Sequence, residues 1–187
     1  MKKSLVFMIA SLVIILGGVW FYFQKPGGKP VFTPQSQRST MQLTSDAFAN
    51  NQPIPAKYTC NGENSSPPLT IDDVPQAAKS LVLIMDDPDA PSGDWVHWTM
   101  WNISPATTAM AENTPPPGAI EGTTSFGKPG YGGPCPPSGV HHYQFELYAL
   151  DTELNLDSSA IKADLESAMK NHIIDQALLV GTYTHGK

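Results

Sequence analysis

Four stretches of the chain carry the hydrophobic pattern of strands. Ser80 to Met85 is a nearly continuous apolar run, Trp95 to Ile103 is aromatic and β-branched, Tyr143 to Leu150 alternates, and Ala177 to Tyr183 closes the chain. Each is bounded by Pro, Gly, Asn or Asp. One stretch has a helical period instead. Ser159 to about Ile173 spaces Ile161, Leu165, Ala168, Met169 and His172 along one face, begins with a Ser cap and sets Glu166 four residues before Lys170. A helix of this kind packs on a sheet and carries no chemistry. Long Pro-rich loops between strands, with the helix confined to the end, predict a mostly-β chain: a β-sandwich or related antiparallel sheet with few peripheral helices.

The N-terminus has a different pattern. After Met1-Lys2-Lys3, Ser4 to Phe23 holds no charge. That is about the 20 residues a helix needs to cross the hydrocarbon core, with Lys2 and Lys3 left on the cytoplasmic side. The run ends Trp20-Phe21-Tyr22-Phe23, rings suited to a membrane interface and not to a cleavage site, although Gly17-Gly18 offers small residues for one. No Cys follows the apolar run, so lipid modification is not indicated. Residues 24–39 are rich in Pro, Gly and Ser without apolar periodicity and read as a tether. The predicted organisation is a signal anchor over 1–23, a flexible linker over 24–39 and one domain over 40–187. The domain is exported whether or not the anchor is cleaved, to the periplasm or cell surface.

Charge and cysteine content narrow the classes. The net charge of −6, without a basic run beyond the N-terminus, argues against nucleic acid, whose phosphates demand clustered cations. Pro clusters sit beside apolar runs, so they mark ordered loops. Cys60 and Cys135 form an even pair in an exported domain. Two readings stay open: a disulfide, which the compartment permits, or two separate buried thiols.

The chemistry concentrates in two segments. One is Asp86-Asp87-Pro88-Asp89-Ala90-Pro91, running on to Trp95-Val96-His97-Trp98. The other is Gly130-Tyr131-Gly132-Gly133-Pro134-Cys135-Pro136-Pro137-Ser138-Gly139-Val140-His141-His142-Tyr143. Each couples a rigid loop to a strand bearing imidazoles. Side chains alternate across a strand, so His141 and Tyr143 share a face and His142 takes the other; His97 is expected to share a face with Trp95 and Trp101. Backbone N–H groups around Gly132 and Gly133 could converge as an anion-binding nest. The tryptophans read as core residues, and Asp86 as a loop charge or a site residue. His97, His141 and Asp87 could serve a metal, but they lack the short local spacing of a metal motif, so no metal or other cofactor is predicted. No G-x-S-x-G elbow occurs, and the hydroxyls near the site His in sequence are those of Tyr143 and Ser138. No catalytic residue is assigned.

These segments resemble the two signature boxes of the phosphatidylethanolamine-binding protein family, also called Raf kinase inhibitor-like proteins. Tyr58 to Leu69 and Tyr148-Ala149-Leu150-Asp151 extend the likeness over roughly residues 40 to 185, closest to the bacterial branch. The resemblance implies a large central antiparallel sheet, a second smaller sheet and a C-terminal helix. It implies an anion pocket lined by His97, His141 and Tyr143 with Asp87 beside them, Asp89 tying its loop, and Pro91, Pro134 and Pro136 stiffening the walls. His142 falls at a variable position and could sit at the rim. The expected function is a binding module for a small anion, the phosphate of a metabolite or lipid head group. Because the family is associated with inhibition of proteases and kinases, an exported member would act on an envelope protease. The alternative is an enzyme on a phosphorylated or acyl substrate.

The anchor is testable directly. The mature protein is expected to retain Lys2 and Lys3 and to fractionate with membranes; an N-terminus beginning after residue 17 in purified protein rules the anchor out.

Overall fold

The computed structural model describes residues 40–184. The predicted anchor and linker lie outside the described residues. Among the described residues, no helix is long and apolar enough to cross a membrane.

The described chain runs β1 (Gln42–Thr44), β2 (Gln52–Pro53), β3 (Leu69–Asp72), β4 (Ser80–Asp87), β5 (Trp95–Ile103), β6 (Ala109–Met110), β7 (Ile120–Glu121), β8 (Val140–Leu150), α1 (Lys162–Met169) and β9 (Ile173–Thr184). Six strands form one sheet in the order β2-β9-β8-β4-β5-β7, and three form a smaller sheet, β1-β3-β6. All pairings are antiparallel except β2 with β9. The mostly-β architecture with a large sheet, a small sheet and a late helix is as predicted.

The unbroken apolar run of β4 has a simple cause: all eight residues are buried because both faces of the strand are covered. Leu81, Leu83 and Met85 join Leu43, Leu69 and Ile71 of the small sheet and Phe145 and Leu147 of β8 in the core between the sheets. Val82 and Ile84 point the other way, onto Leu165 and Met169 of α1. At about 25 cal/mol per Å² of apolar surface removed from water, these two layers are the main source of stability.

The helix is shorter than Ser159 to Ile173. Ser159 does not cap it, because its N–H and hydroxyl both donate to Asp157 Oδ1, closing a turn before the helix. Asp164 reaches back instead and accepts from the N–H of Ile161. At the other end Asn171 adopts a left-handed φ of 68°, and the chain turns straight into β9. The Glu166 carboxylate lies toward Lys162, at 3.8 Å, rather than making the expected pair with Lys170.

Lys162 pins this helix to the sheet. Its Nζ donates to Asp86 at the end of β4 and, at 2.7 Å, to Asp94 just before β5. Asp86 is thus neither a free loop charge nor part of the cavity described below. Burial pushes its carboxyl up to about 6 against the pull of Lys162. Burial draws Lys162 down, but its bonds to Asp86 and Asp94 outweigh that and raise it.

Cys60 and Cys135 are joined in a disulfide with a Cα–Cα distance of 5.5 Å, which settles the open reading. Around it, Cys60 N–H donates to Pro134 O, Tyr131 Oη–H to Tyr58 O and Gly133 N–H to Asn64 Oδ1. Segment 58–64 and loop 131–135 are therefore fastened by hydrogen bonds as well as by the cross-link.

Two outcomes follow. With a separation of 75 residues, the cross-link contributes about 4.5 kcal/mol on the chain-entropy model. Cys60→Ser/Cys135→Ser should therefore melt well below the wild type while keeping its β-sheet spectrum; two alkylatable thiols in unreduced, denatured wild type would refute the cross-link. Lys162→Met should cost about 3 kcal/mol at pH 8 by leaving Asp86 charged and uncompensated. A folded-state value raised from 3.8 to about 6 means that Asp86 binds its proton more readily folded than unfolded. Stability from this group is present at low pH and lost as pH rises through about 4 to 6; because Lys162→Met removes the lysine's downward pull and lifts Asp86 further, the variant's deficit should shrink as pH falls from 8 toward about 6. Urea melts from pH 8 to 5 measure both; a deficit independent of pH would show that the lysine contributes packing alone.

Candidate functional site

Three strand ends meet at one pole of the large sheet: the end of β4, the start of β5 and the start of β8. Residue parity along β8 puts His141 and Tyr143 on the intersheet face and leaves His142 exposed on the other. The same parity along β4 sends Asp87 to the intersheet face and Asp86 to the helix face.

On β5 a bulge changes the count. Met85 faces Trp98 and Asp86 faces Val96, so one step along β4 matches two along β5 and His97 is the extra residue. Trp98 therefore joins the intersheet core, whereas Trp101 packs on the helix side with Val82 and Ile84. His97 shares the cavity wall with Trp95 but not a face with Trp101, contrary to strict alternation. Trp95 itself is a half-buried wall residue and not core.

The result is a cavity of about 240 Å³ whose polar lining includes Asp87, His97, His141 and Tyr143. Asp87 is 3% exposed and uses both oxygens: Oδ1 accepts the N–H of Asp89 at 2.9 Å, and Oδ2 accepts His141 Nδ1–H at 2.7 Å. His97 Nδ1–H donates to Gly132 O at 2.5 Å. Both imidazoles are thereby held in one tautomer, with Nε2 as the atom left for a ligand. Tyr143 Oη is buried close to the Asp87 carboxylate and the Cys135 backbone, but no partner meets it in hydrogen-bond geometry. A buried hydroxyl of this kind costs free energy unless something completes it. Burial, then the nearby Asp87 charge, raises the Tyr143 phenol, so it stays a proton donor across the ordinary pH range. Burial lowers His97 below its usual 6.5, against the raising influence of Gly132 O and Asp87, so its unliganded Nε2 carries a lone pair at neutral pH.

Gly132 and Gly133 play a different part from the expected nest. Gly132 N–H donates to His97 O at 2.9 Å and Gly133 N–H to Asn64 Oδ1 at 2.7 Å, so neither is free for an anion. Both positions need glycine for close approach. A Cβ would lie 2.3 Å from the Phe126 ring at Gly132 and 2.5 Å from Tyr58 O at Gly133. Asp89 does tie its loop, and it does so across to β8, accepting His142 N–H at 2.9 Å and His142 Nδ1–H at 2.7 Å. Pro91 and Pro136 line the cavity, and Pro134 is buried behind it.

Three wall residues escaped sequence reasoning as cavity residues, Ser92, Trp95 and Phe126, whereas Cys135, read as part of the second loop, does line the cavity. Trp95 was within reach, two residues before His97. Phe126 had one signal, a large aromatic inside the Gly/Pro-bounded stretch Ser125-Phe126-Gly127-Lys128-Pro129-Gly130.

Comparison with known proteins identifies the family and the fold. Residues 44–184 match the family model described as phosphatidylethanolamine-binding protein. A UPF0098 protein of Methanothermobacter thermautotrophicus is 52% identical, covering 78% of this chain and 100% of its own length. A UPF0098 protein of Pyrococcus horikoshii is 43% identical over 97% of this chain and 89% of its own. Among solved structures, a phosphatidylethanolamine-binding protein homolog from Chlamydia trachomatis has a TM-score of 0.76 at 45% identity, covering 80% of this chain and 100% of that one. YbcL of Escherichia coli, described as a member of the mammalian family, has a TM-score of 0.74 at 33% identity, covering 78% and 99%. A mostly-β fold of two sheets, a cavity at the ends of three strands and a family match over the described domain converge: the chain belongs to the phosphatidylethanolamine-binding protein family.

Proposed function

We propose that the chain is a membrane-tethered, extracytoplasmic binding module whose cavity takes a small anion, the phosphoryl group of a metabolite or of a lipid head group. The observation that carries this reading is the Tyr143 hydroxyl, buried beside Asp87 without a partner in hydrogen-bond geometry and next to two imidazoles of fixed tautomer. Tyr143 donates to a phosphoryl oxygen. His97 Nε2 accepts from a protonated one or takes up a proton to become a donor. Any protease that the module modulates would be met in the envelope, on the same side of the membrane.

One observation favours a second reading, an enzyme on a phosphorylated or acyl substrate: Ser92 lines the same cavity as the His141–Asp87 pair. Recovery of a phosphoester unchanged after prolonged incubation supports binding; its hydrolysis supports the enzyme.

Residues 40–187 are a suitable unit for titration, since the Chlamydia trachomatis structure consists of this domain alone. Sulfate keeps its charge near neutrality and isolates the protein's own titration. An anion favours imidazolium over imidazole, so affinity should rise as pH falls. Because burial has lowered the unliganded His97, the rise should continue below about 6.5 and not level off there. At the acid end of the titration, where sulfate can draw a proton onto His97, His97→Ala, His141→Ala and Tyr143→Phe should each weaken sulfate about ten- to hundredfold, corresponding to roughly 1.5 to 3 kcal/mol for a charge-assisted hydrogen bond. His142→Ala should change it little, since His142 is exposed and faces Asp89. Equal affinities across the set, or a constant independent of pH, would reduce these residues to core packing.

A further inference from the structure

The cavity has a polar base and an apolar mouth. Above Asp87, His97, His141 and Tyr143 stand Trp95, Phe126, Pro91, Pro136 and Pro137. The least ordinary of these is Phe126, a large ring left 42% exposed. It is nonetheless held firmly. Its ring lies edge-on to Trp95, with centroids 5.5 Å apart and an interplanar angle of 81°, and edge-on to His97 at 5.5 Å and 72°. Beneath it Gly132 leaves room that no other residue would leave.

The loop that presents the ring is equally fixed. Ser125 N–H donates to Val96 O at 3.0 Å, Val96 N–H to Ser125 Oγ at 2.9 Å, and Gly127 N–H to Thr124 O at 2.9 Å. Thr124 Oγ1–H donates to Lys128 O at 2.9 Å and accepts the N–H of Phe126. A surface aromatic fastened from so many directions, at the lip of a cavity, pays in hydration for a position that a complementary group would make favourable.

We infer that the ligand carries a planar aryl group next to its anionic one, and that Phe126 and Trp95 select for it. This rests on the anion reading above. Seating the anion on Tyr143 and the imidazoles places its substituent in the mouth. Tyr143, His97, Phe126 and Trp95 already form a row of edge-to-face contacts, with Tyr143 and His97 centroids 5.2 Å apart. An aryl ring extends that row, because its edge and face have the opposite partial charges of its neighbours'; a methyl or alkyl group has no such match.

Calorimetric titration of residues 40–187 with sulfate, methyl phosphate, n-hexyl phosphate and phenyl phosphate tests this. Two edge-to-face contacts together are worth about tenfold. Phenyl phosphate should bind at least about tenfold more tightly than methyl phosphate and more tightly than hexyl phosphate. In Phe126→Ala that phenyl-to-methyl ratio should fall to within about threefold of unity, with Phe126→Leu between, all three proteins sharing one melting temperature within a few degrees. A wild-type ratio near one, a preference for hexyl over phenyl phosphate, or a ratio that survives Phe126→Ala overturns the aryl inference while leaving the anion reading standing. Failure of all four anions to bind overturns the anion reading itself, and this inference with it.

Discussion

Asp87 ends β4 with its two carboxylate oxygens committed in different directions, Oδ1 to the N–H of Asp89 and Oδ2 to the Nδ1–H of His141. One bond shapes the loop that follows β4, which supplies Ala90, Pro91 and Ser92 to the cavity; the other orients an imidazole on β8. A carboxylate this deeply buried is tolerated because each oxygen is satisfied by a fixed donor. Its removal would leave the loop without its Asx turn and His141 free to change tautomer. The position of the cavity between β4, β5 and β8 depends on that one group holding two of its three walls.

The adjacent carboxylate shows how alternation lets neighbouring residues serve separate layers. Asp86 points away from the cavity and meets Lys162, which also holds Asp94. These two acids flank the stems of the same β4–β5 loop that Asp87 shapes from inside. The loop is therefore braced on both faces of the sheet, by a histidine pair on one and by a helix lysine on the other. Its prolines add stiffness at no cost in ladder hydrogen bonds, because the loop lies between strands.

Much of this was legible in the chain. The period-2 pattern of Tyr143 to Leu150 and the apolar run into Met85 fixed the central strands, and parity alone separated His141 and Tyr143 from His142. Strict alternation failed at His97, because a bulge is a property of strand pairing and leaves no mark on hydrophobicity. The predicted Ser159 cap failed for a local reason: Asp157 competes successfully for its hydroxyl. The Gly132-Gly133 pair was recognised as special but assigned the wrong role. Glycine is needed there by neighbours distant in sequence, Phe126 and Tyr58, and no reading of local geometry identifies them. Phe126 was missed for the same reason, as was the choice between a disulfide and two thiols, which depends on whether loops 75 residues apart meet.

The protonation of the cavity bears on what it can hold. Asp87 already places one negative charge at the base, and a dianion would add two more within a few ångströms of it in a poorly solvated site. Coulomb repulsion there is several times stronger than in bulk water. Tyr143 offers a neutral donor, and His97, which burial keeps unprotonated, offers a lone pair. At neutral pH a dianion finds only one of these useful, since it has no proton to give His97. A singly protonated phosphoryl group uses both, giving its P–OH to Nε2 and accepting from Tyr143. On the proposed reading, then, the buried base selects by protonation state and the mouth by shape, and both preferences come from residues that the β4, β5 and β8 strand ends hold in fixed rotamers and tautomers.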